Sequence, residues 1–190
     1  MARILQAVGE VISERGVNRV GINAVAEKAG VNKVLIYRYF GGWEGLMQQF
    51  LNEGHFLTNY NRQFLETKLS AGKTPCLPQT RIAYLLGLLR ELKERSSAQE
   101  LLKWEISNPS SYLNQPLVMA RNESFRQVLD RLVGDEAEED LTAVTALLVS
   151  GITMLLLIAP YQSPFMNIDL QSDEGWQRIE SAIQRICAEK

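Results

Sequence analysis

The stretch Ile22–Phe40, INAVAEKAGVNKVLIYRYF, constrains the fold more tightly than any other part of the chain. Ile22, Val25, Ala26 and Ala29 recur at i, i+3, i+4 and i+7, one apolar face of a short helix. Gly30 interrupts the pattern. Glycine enters the left-handed region without a Cβ penalty, so the helix ends there and the chain turns sharply. Val31 plugs the turn, Asn32 is placed to cap a second helix, and Ile36 and Phe40 hold that helix down. Lys33, Val34, Leu35, Tyr37 and Arg38 are left pointing largely outward. A solvated helix does not ordinarily expose two aliphatics and a tyrosine. A helix lying in a DNA major groove uses all five: cations reach phosphates or guanine edges, aliphatics touch thymine methyls, and tyrosine hydroxyls bond phosphates. The pattern therefore predicts a helix-turn-helix, with an ordinary helical hairpin as the bland alternative.

The segment AVAEKAGVNKVLIYRYF, followed by Glu44 and Leu46, resembles the TetR-type (TetR/AcrR) transcriptional regulators. The matching residues are Ala26, Ala29, Gly30, Val31, Tyr37, Tyr39, Phe40, Glu44 and Leu46, with Gly16 ahead of the pair. Beyond the first fifty residues the likeness is only architectural. It implies an all-α fold, with a three-helix DNA-binding module over residues 1–45 and a ligand-binding and dimerisation domain over 46–190. The implied DNA contacts are Asn23, Lys33, Val34, Leu35, Tyr37, Arg38 and Tyr39. Three positions depart from the family pattern. Gly21 stands where a capping, phosphate-binding threonine is usual, Trp43 where a lysine is usual, and Val34 where a small residue is frequent. Either DNA affinity is lower, or Asn23, Lys33 and Tyr39 compensate.

The net charge of −2 looks wrong for a DNA-binding chain, but the average hides an asymmetry. Residues 1–50 hold six basic and four acidic side chains, a net +2, which leaves −4 for the remainder. At 46% hydrophobic residues the chain is rich enough for a full core. Cys76 and Cys187 follow no metal or redox spacing and read as reduced thiols. His55, the single histidine, falls in a helical run and argues against a catalytic triad or a histidine metal site, so neither enzyme chemistry nor a cofactor is expected. No signal-peptide pattern is present, and a cytoplasmic location is expected.

In chain order, Ile4, Leu5, Val8, Val11 and Ile12 give the first helix its apolar face, and Gly16 ends it. Gly41-Gly42 forms a joint. A long helix then opens at Trp43 and Glu44 and continues past Phe56, Tyr60 and Phe64. Residues 71–78 are a loop. The next helix carries Ile82, Leu85, Leu86, Leu89 and Leu92 on one face. Ser97–Glu100 fits a capping box for a short helix ending before Asn108-Pro109. Residues 110–116 are irregular, and a helix follows from Leu117 to Val133. On it, Arg121 is either a carboxylate anchor for a ligand or an edge residue with a packed stem and a wet head.

Residues 141–159, LTAVTALLVSGITMLLLIA, carry no charge and approach the length that spans a bilayer. Hydroxyls and Gly151 dilute the run, five acids precede it, and no positive cluster flanks it, so a membrane span is disfavoured. A soluble helix buried all round gives the same signal. The last helix, from Asp173 to Ala188, has Trp176, Ile179, Ala182, Ile183 and Ile186 in phase. Burying both helices needs more surface than one small domain supplies. A homodimer through the last two helices is therefore expected, with Ala146, Ser150 and Gly151 allowing close approach.

The resemblance implies a ligand-responsive regulator, repressing from a near-palindromic double-stranded operator whose half-sites lie roughly 34–36 Å apart. The expected effector is an apolar or aromatic small molecule touching Tyr84, Leu88, Trp104, Met119, Arg121 and Phe125. The alternative is a TetR-like helical domain without DNA binding, associated with a protein or a membrane.

Overall fold

The computed structural model describes residues 1–54, 56–69, 77–109, 114–132 and 139–188, and every named element among them is helical. The fold is all-α. α1 (Ala2–Arg15), α2 (Ile22–Ala29) and α3 (Lys33–Phe40) are followed by α4 (Trp43–Gly54) and α5 (Phe56–Phe64). α6 (Leu77–Glu94), α7 (Ser96–Ser107), α8 (Asn114–Leu132), α9 (Glu139–Ile158) and α10 (Asp173–Ala188) complete the order. The chain divides into two compact units. One comprises Met1–Asn59 with Arg95–Asn122, and the other Tyr60–Glu94 with Glu123–Lys190.

The first unit closes around Ile4, Leu5, Val8, Ile12, Val25, Ala26, Ala29, Ile36, Leu46, Met47 and Leu51. Gly16 ends α1 at φ 75°, a conformation that side chains resist. α7 adds Leu101 to this core and packs Trp104 against it. Gly45 sits so close to the end of α3 that a Cβ there would lie 1.8 Å from the Phe40 carbonyl oxygen. Only glycine lets α4 start at that distance from α3.

In the second unit α6 packs against both α9 and α10. Its buried stripe is Arg81, Tyr84, Leu85, Leu88, Leu89 and Leu92, at i, i+3, i+4, i+7, i+8 and i+11. The sequence stripe contained Ile82, which is only partly buried, and omitted Arg81, Tyr84 and Leu88. Arg90 pairs with Glu180 at 2.8 Å and Lys93 with Asp173 at 3.5 Å, so α6 and α10 run antiparallel.

Several boundaries differ from expectation. The capping box at Ser97 does not form. α7 begins one residue earlier, and Arg95 at its N-cap makes no side-chain cap. α8 starts at Asn114, which puts Pro116 in the first turn, where its missing N–H costs no helical bond. The expected long helix is described as α4 and α5 on either side of residue 55. The expectations for His55, Cys76, the loop 71–76 and most of the acidic run 135–140 fall outside the described residues. The segment between α9 and α10 is a loop, as expected, and it is organised around Asp169. That carboxylate accepts from Ser163 Oγ and from the Gln171 N–H. Trp176 Nε1 donates to the Leu170 carbonyl at 2.8 Å.

Candidate nucleic-acid interface

α2 and α3 are joined by a turn that the sequence dictates residue by residue. Gly30 is left-handed, at φ 61° and ψ 40°. The Val31 N–H donates to Ala26 O at 3.0 Å and the Gly30 N–H to Glu27 O at 3.1 Å, the two bonds of a Schellman cap. Asn32 Oδ1 then accepts from the Val34 N–H at 2.9 Å and caps α3. Gly41, at φ 74°, ends α3 by donating to Tyr37 O. One helix is therefore stopped and the next started within three residues.

α3 is seated by Ile36, which is fully buried, with Phe40 packed at the edge of the core. Its other faces are open. Val34 is 62% exposed, Tyr37 55% and Tyr39 49%, and Lys33, Arg38 and Asn23 are also exposed. Leu35 is only half-buried, so it contributes to seating the helix as well as to its surface.

The basic side chains sort into two groups. Lys28 donates to Glu14 and lies 3.9 Å from Glu10, tying α2 to α1. The Glu14 bond raises the lysine's pKa, and the same bond lowers that of Glu14. Lys33 and Arg38 make no ion pair among the described residues. Lys28 is thus neutralised internally, whereas the two cations of α3 remain available to an external polyanion. At the departing positions, Gly21 is the extended N-cap of α2 and supplies no side-chain cap, and Trp43 packs against the core. Neither provides a cation or a hydroxyl.

The six residues expected around an effector divide between the units. Tyr84 and Leu88 are fully buried in the second unit, and Phe125 is partly buried there. Tyr84 OH donates to Asn61 Oδ1 at 2.7 Å, and Asn61 Nδ2 donates to Ser124 Oγ at 3.0 Å. Tyr60 OH donates to the Tyr84 carbonyl at 2.6 Å, and the rings of Tyr60 and Phe64 pack on that of Tyr84. Burial pushes both tyrosine hydroxyls well above the ordinary phenol value. In the first unit Trp104 packs on the core, Met119 is 72% exposed, and Arg121 donates to the buried Glu105. The guanidinium of Arg121 is thus already engaged by a carboxylate from α7.

α9 leaves a face uncovered. Only 22% of the Leu141–Ile158 window is buried, and Ala143, Leu147, Ser150 and Met154 form an exposed stripe at i, i+4, i+7 and i+11. Ile186 of α10 is 46% exposed. The Thr145 and Thr153 hydroxyls donate to the carbonyls one turn back in their own helix, which removes their demand for water.

Residues 4–50 match the sequence profile described as bacterial regulatory proteins, tetR family. Among solved structures, the chain is similar to a TetR transcriptional regulator from Rhodococcus sp. RHA1 at 23% identity and a TM-score of 0.57, over 98% of this chain and 92% of that one. It is similar to the fatty acid degradation regulator FadR from Bacillus halodurans at 14% identity and a TM-score of 0.70, over 98% and 96% of the two chains. A TetR-family regulator from Haemophilus influenzae RD aligns at 17% identity and a TM-score of 0.63, over 97% and 93%. A search of curated protein sequences finds no match.

Proposed function

We propose that this chain is a TetR-type, DNA-binding regulator, a reading supported by the family profile over residues 4–50 and by the fold, and that it is a ligand-responsive repressor acting as a dimer on a near-palindromic operator. The observation that carries this reading is α3. It is an eight-residue helix seated by one buried side chain, with Lys33, Val34, Tyr37 and Arg38 outward and its cations free of ion pairs among the described residues. Arg38 and Lys33 serve phosphates or guanine edges, Val34 and Leu35 thymine methyls, and Asn23, Tyr37 and Tyr39 phosphates.

The open stripe of α9, with Ile186, supports a two-fold interface through the last two helices, the arrangement in which two recognition helices reach successive turns of DNA. Residues 1–45 act as the DNA-binding domain and 46–190 as the effector and dimerisation domain. The effector is an apolar or aromatic molecule held within the second unit, where Tyr84, Leu88 and Phe125 of the expected contacts lie. It induces by binding the off-operator state more tightly, by about 1–3 kcal/mol. The protein works in the cytoplasm.

The test is a genome-wide capture of DNA fragments by the purified protein at moderate salt. One enriched palindrome is the expected result. No enrichment from a soluble dimer would overturn the repressor reading. The alternative is a membrane-associated module, for which the window Leu141–Ile158 has the length and apolar composition. Recovery of the protein without detergent excludes that reading.

A further inference from the structure

We infer that Arg81, at the head of the buried stripe of α6, anchors the carboxylate of an organic-acid effector whose body is apolar. The inference rests on the reading above that this part of the chain responds to a small molecule. Arg81 is 7% exposed, and its Nε is buried with no hydrogen-bond acceptor among the described residues. The other two cations on α6 that face α10 are paired, Arg90 with Glu180 and Lys93 with Asp173. Arg81 is the exception on the same antiparallel seam. Its neighbour across that seam is Cys187, at the end of α10. Burial pushes this thiol's pKa up and the guanidinium opposes the shift, so the two lie within electrostatic reach, but a neutral thiol gives the guanidinium no counter-charge. The carbonyl end of the α10 dipole offsets only part of the cost of burying a cation. Methionine or leucine would continue the stripe of Tyr84, Leu85 and Leu88 without that cost.

A second source of positive potential coincides with Arg81. α6 is 18 residues long, and its first turn begins at Leu77. The first backbone N–H groups of a helix have no partner within it. Helical side chains lean toward the N-terminus, so Arg81, four residues after Leu77, stands on the side of α6 nearest that turn. The planar Nε and Nη fork matches the two oxygens of a carboxylate. Past the anchor, the stripe runs into Tyr84, whose ring centroid lies 5.1 Å from that of Phe64 and 5.5 Å from that of Tyr60. The side chains that follow Arg81 along the stripe are thus aromatic and aliphatic, and an acid anchored there lodges its body by displacing apolar packing and not polar groups.

The test is calorimetric titration of the full chain, without DNA, using hexanoate, decanoate and benzoate, each beside the corresponding alcohol. At least one acid is expected to bind ten-fold or more tightly than its alcohol. Arg81→Met should abolish that preference while Tm stays level or rises, because an unpaired buried charge has gone. The inference is overturned if no acid outbinds its alcohol, or if R81M keeps the preference. It is equally overturned if R81M lowers Tm sharply, which would mean that an acid of the chain itself already neutralises Arg81. Operator capture is measured separately, so loss of DNA binding leaves these titrations readable, and failed titrations leave the repressor reading standing.

Discussion

Replacing Leu147 by glutamate tests the dimer at its most exposed apolar point. Leu147 is 74% exposed, on the same stripe as Met154. Complete burial of a leucine side chain contributes roughly 2 kcal/mol, so covering its exposed part contributes about 1.5 kcal/mol per subunit. A two-fold interface presents the residue twice, giving ~3 kcal/mol, or about two orders of magnitude in dimer Kd from lost burial alone. Two carboxylates brought together near the axis add repulsion and desolvation. The monomer should not suffer, because the exposed face of α9 already meets solvent. Sedimentation equilibrium over a concentration series reads the Kd, and circular dichroism checks the helices. An L147E protein that is folded and dimerises as tightly as the parent would refute the placement of the interface on this stripe.

Lys33→Ala should weaken operator binding at every sequence and reduce the slope of log affinity against log salt by about one phosphate contact, as fluorescence anisotropy would show. Tyr37→Ala should weaken binding without changing the dimer. Arg121→Met deprives the buried Glu105 of its guanidinium and should cost about 3 kcal/mol in urea unfolding. Asp169 has a pKa held below the ordinary 3.8, chiefly by the Ser163 hydroxyl and then by the Gln171 N–H. Its folded form is the more acidic one, so the stabilisation is complete above pH 3.8 and is lost as pH falls through the lower folded value. Trp176 fluorescence should report the loosening of this loop at acid pH in the parent, and Asp169→Asn should abolish that dependence.

The first forty residues were legible because each local signal there has a single structural meaning. Gly30 and Asn32 do what their backbone chemistry favours, and Ile36 is the one apolar residue of α3 that the core takes in completely. Legibility falls where a tertiary partner decides. Ser97 and Glu100 have the spacing of a capping box, but α7 starts before them, and spacing carries no information on which residue the backbone leaves out of the helix. Arg121 looked like a ligand anchor or a wet edge, and its partner, Glu105, sits on a different helix. Arg81 was missed because a cation at the head of an apolar stripe reads as a boundary. Its phase with Tyr84 and Leu85 was the available signal. Gly45 was hidden behind the louder Gly41-Gly42 pair, and only the 1.8 Å approach to Phe40 O reveals its purpose.

α7 seals the core of the first unit from a point fifty residues further along the chain. The helix-turn-helix is therefore not a cassette that can be cut out at the end of α4. A fragment stopping there would uncover the apolar surface that Leu101 and Trp104 protect, and exchanging heads between regulators of this type would transplant α2 and α3 onto a foreign lid. Such chimaeras call for α1 and α7, which pack against each other, to travel together. Substitution meets the same restriction: the outward residues of α3 can change without disturbing the core, whereas the core that takes in Ile36 also takes in Leu101 from a distant segment of sequence.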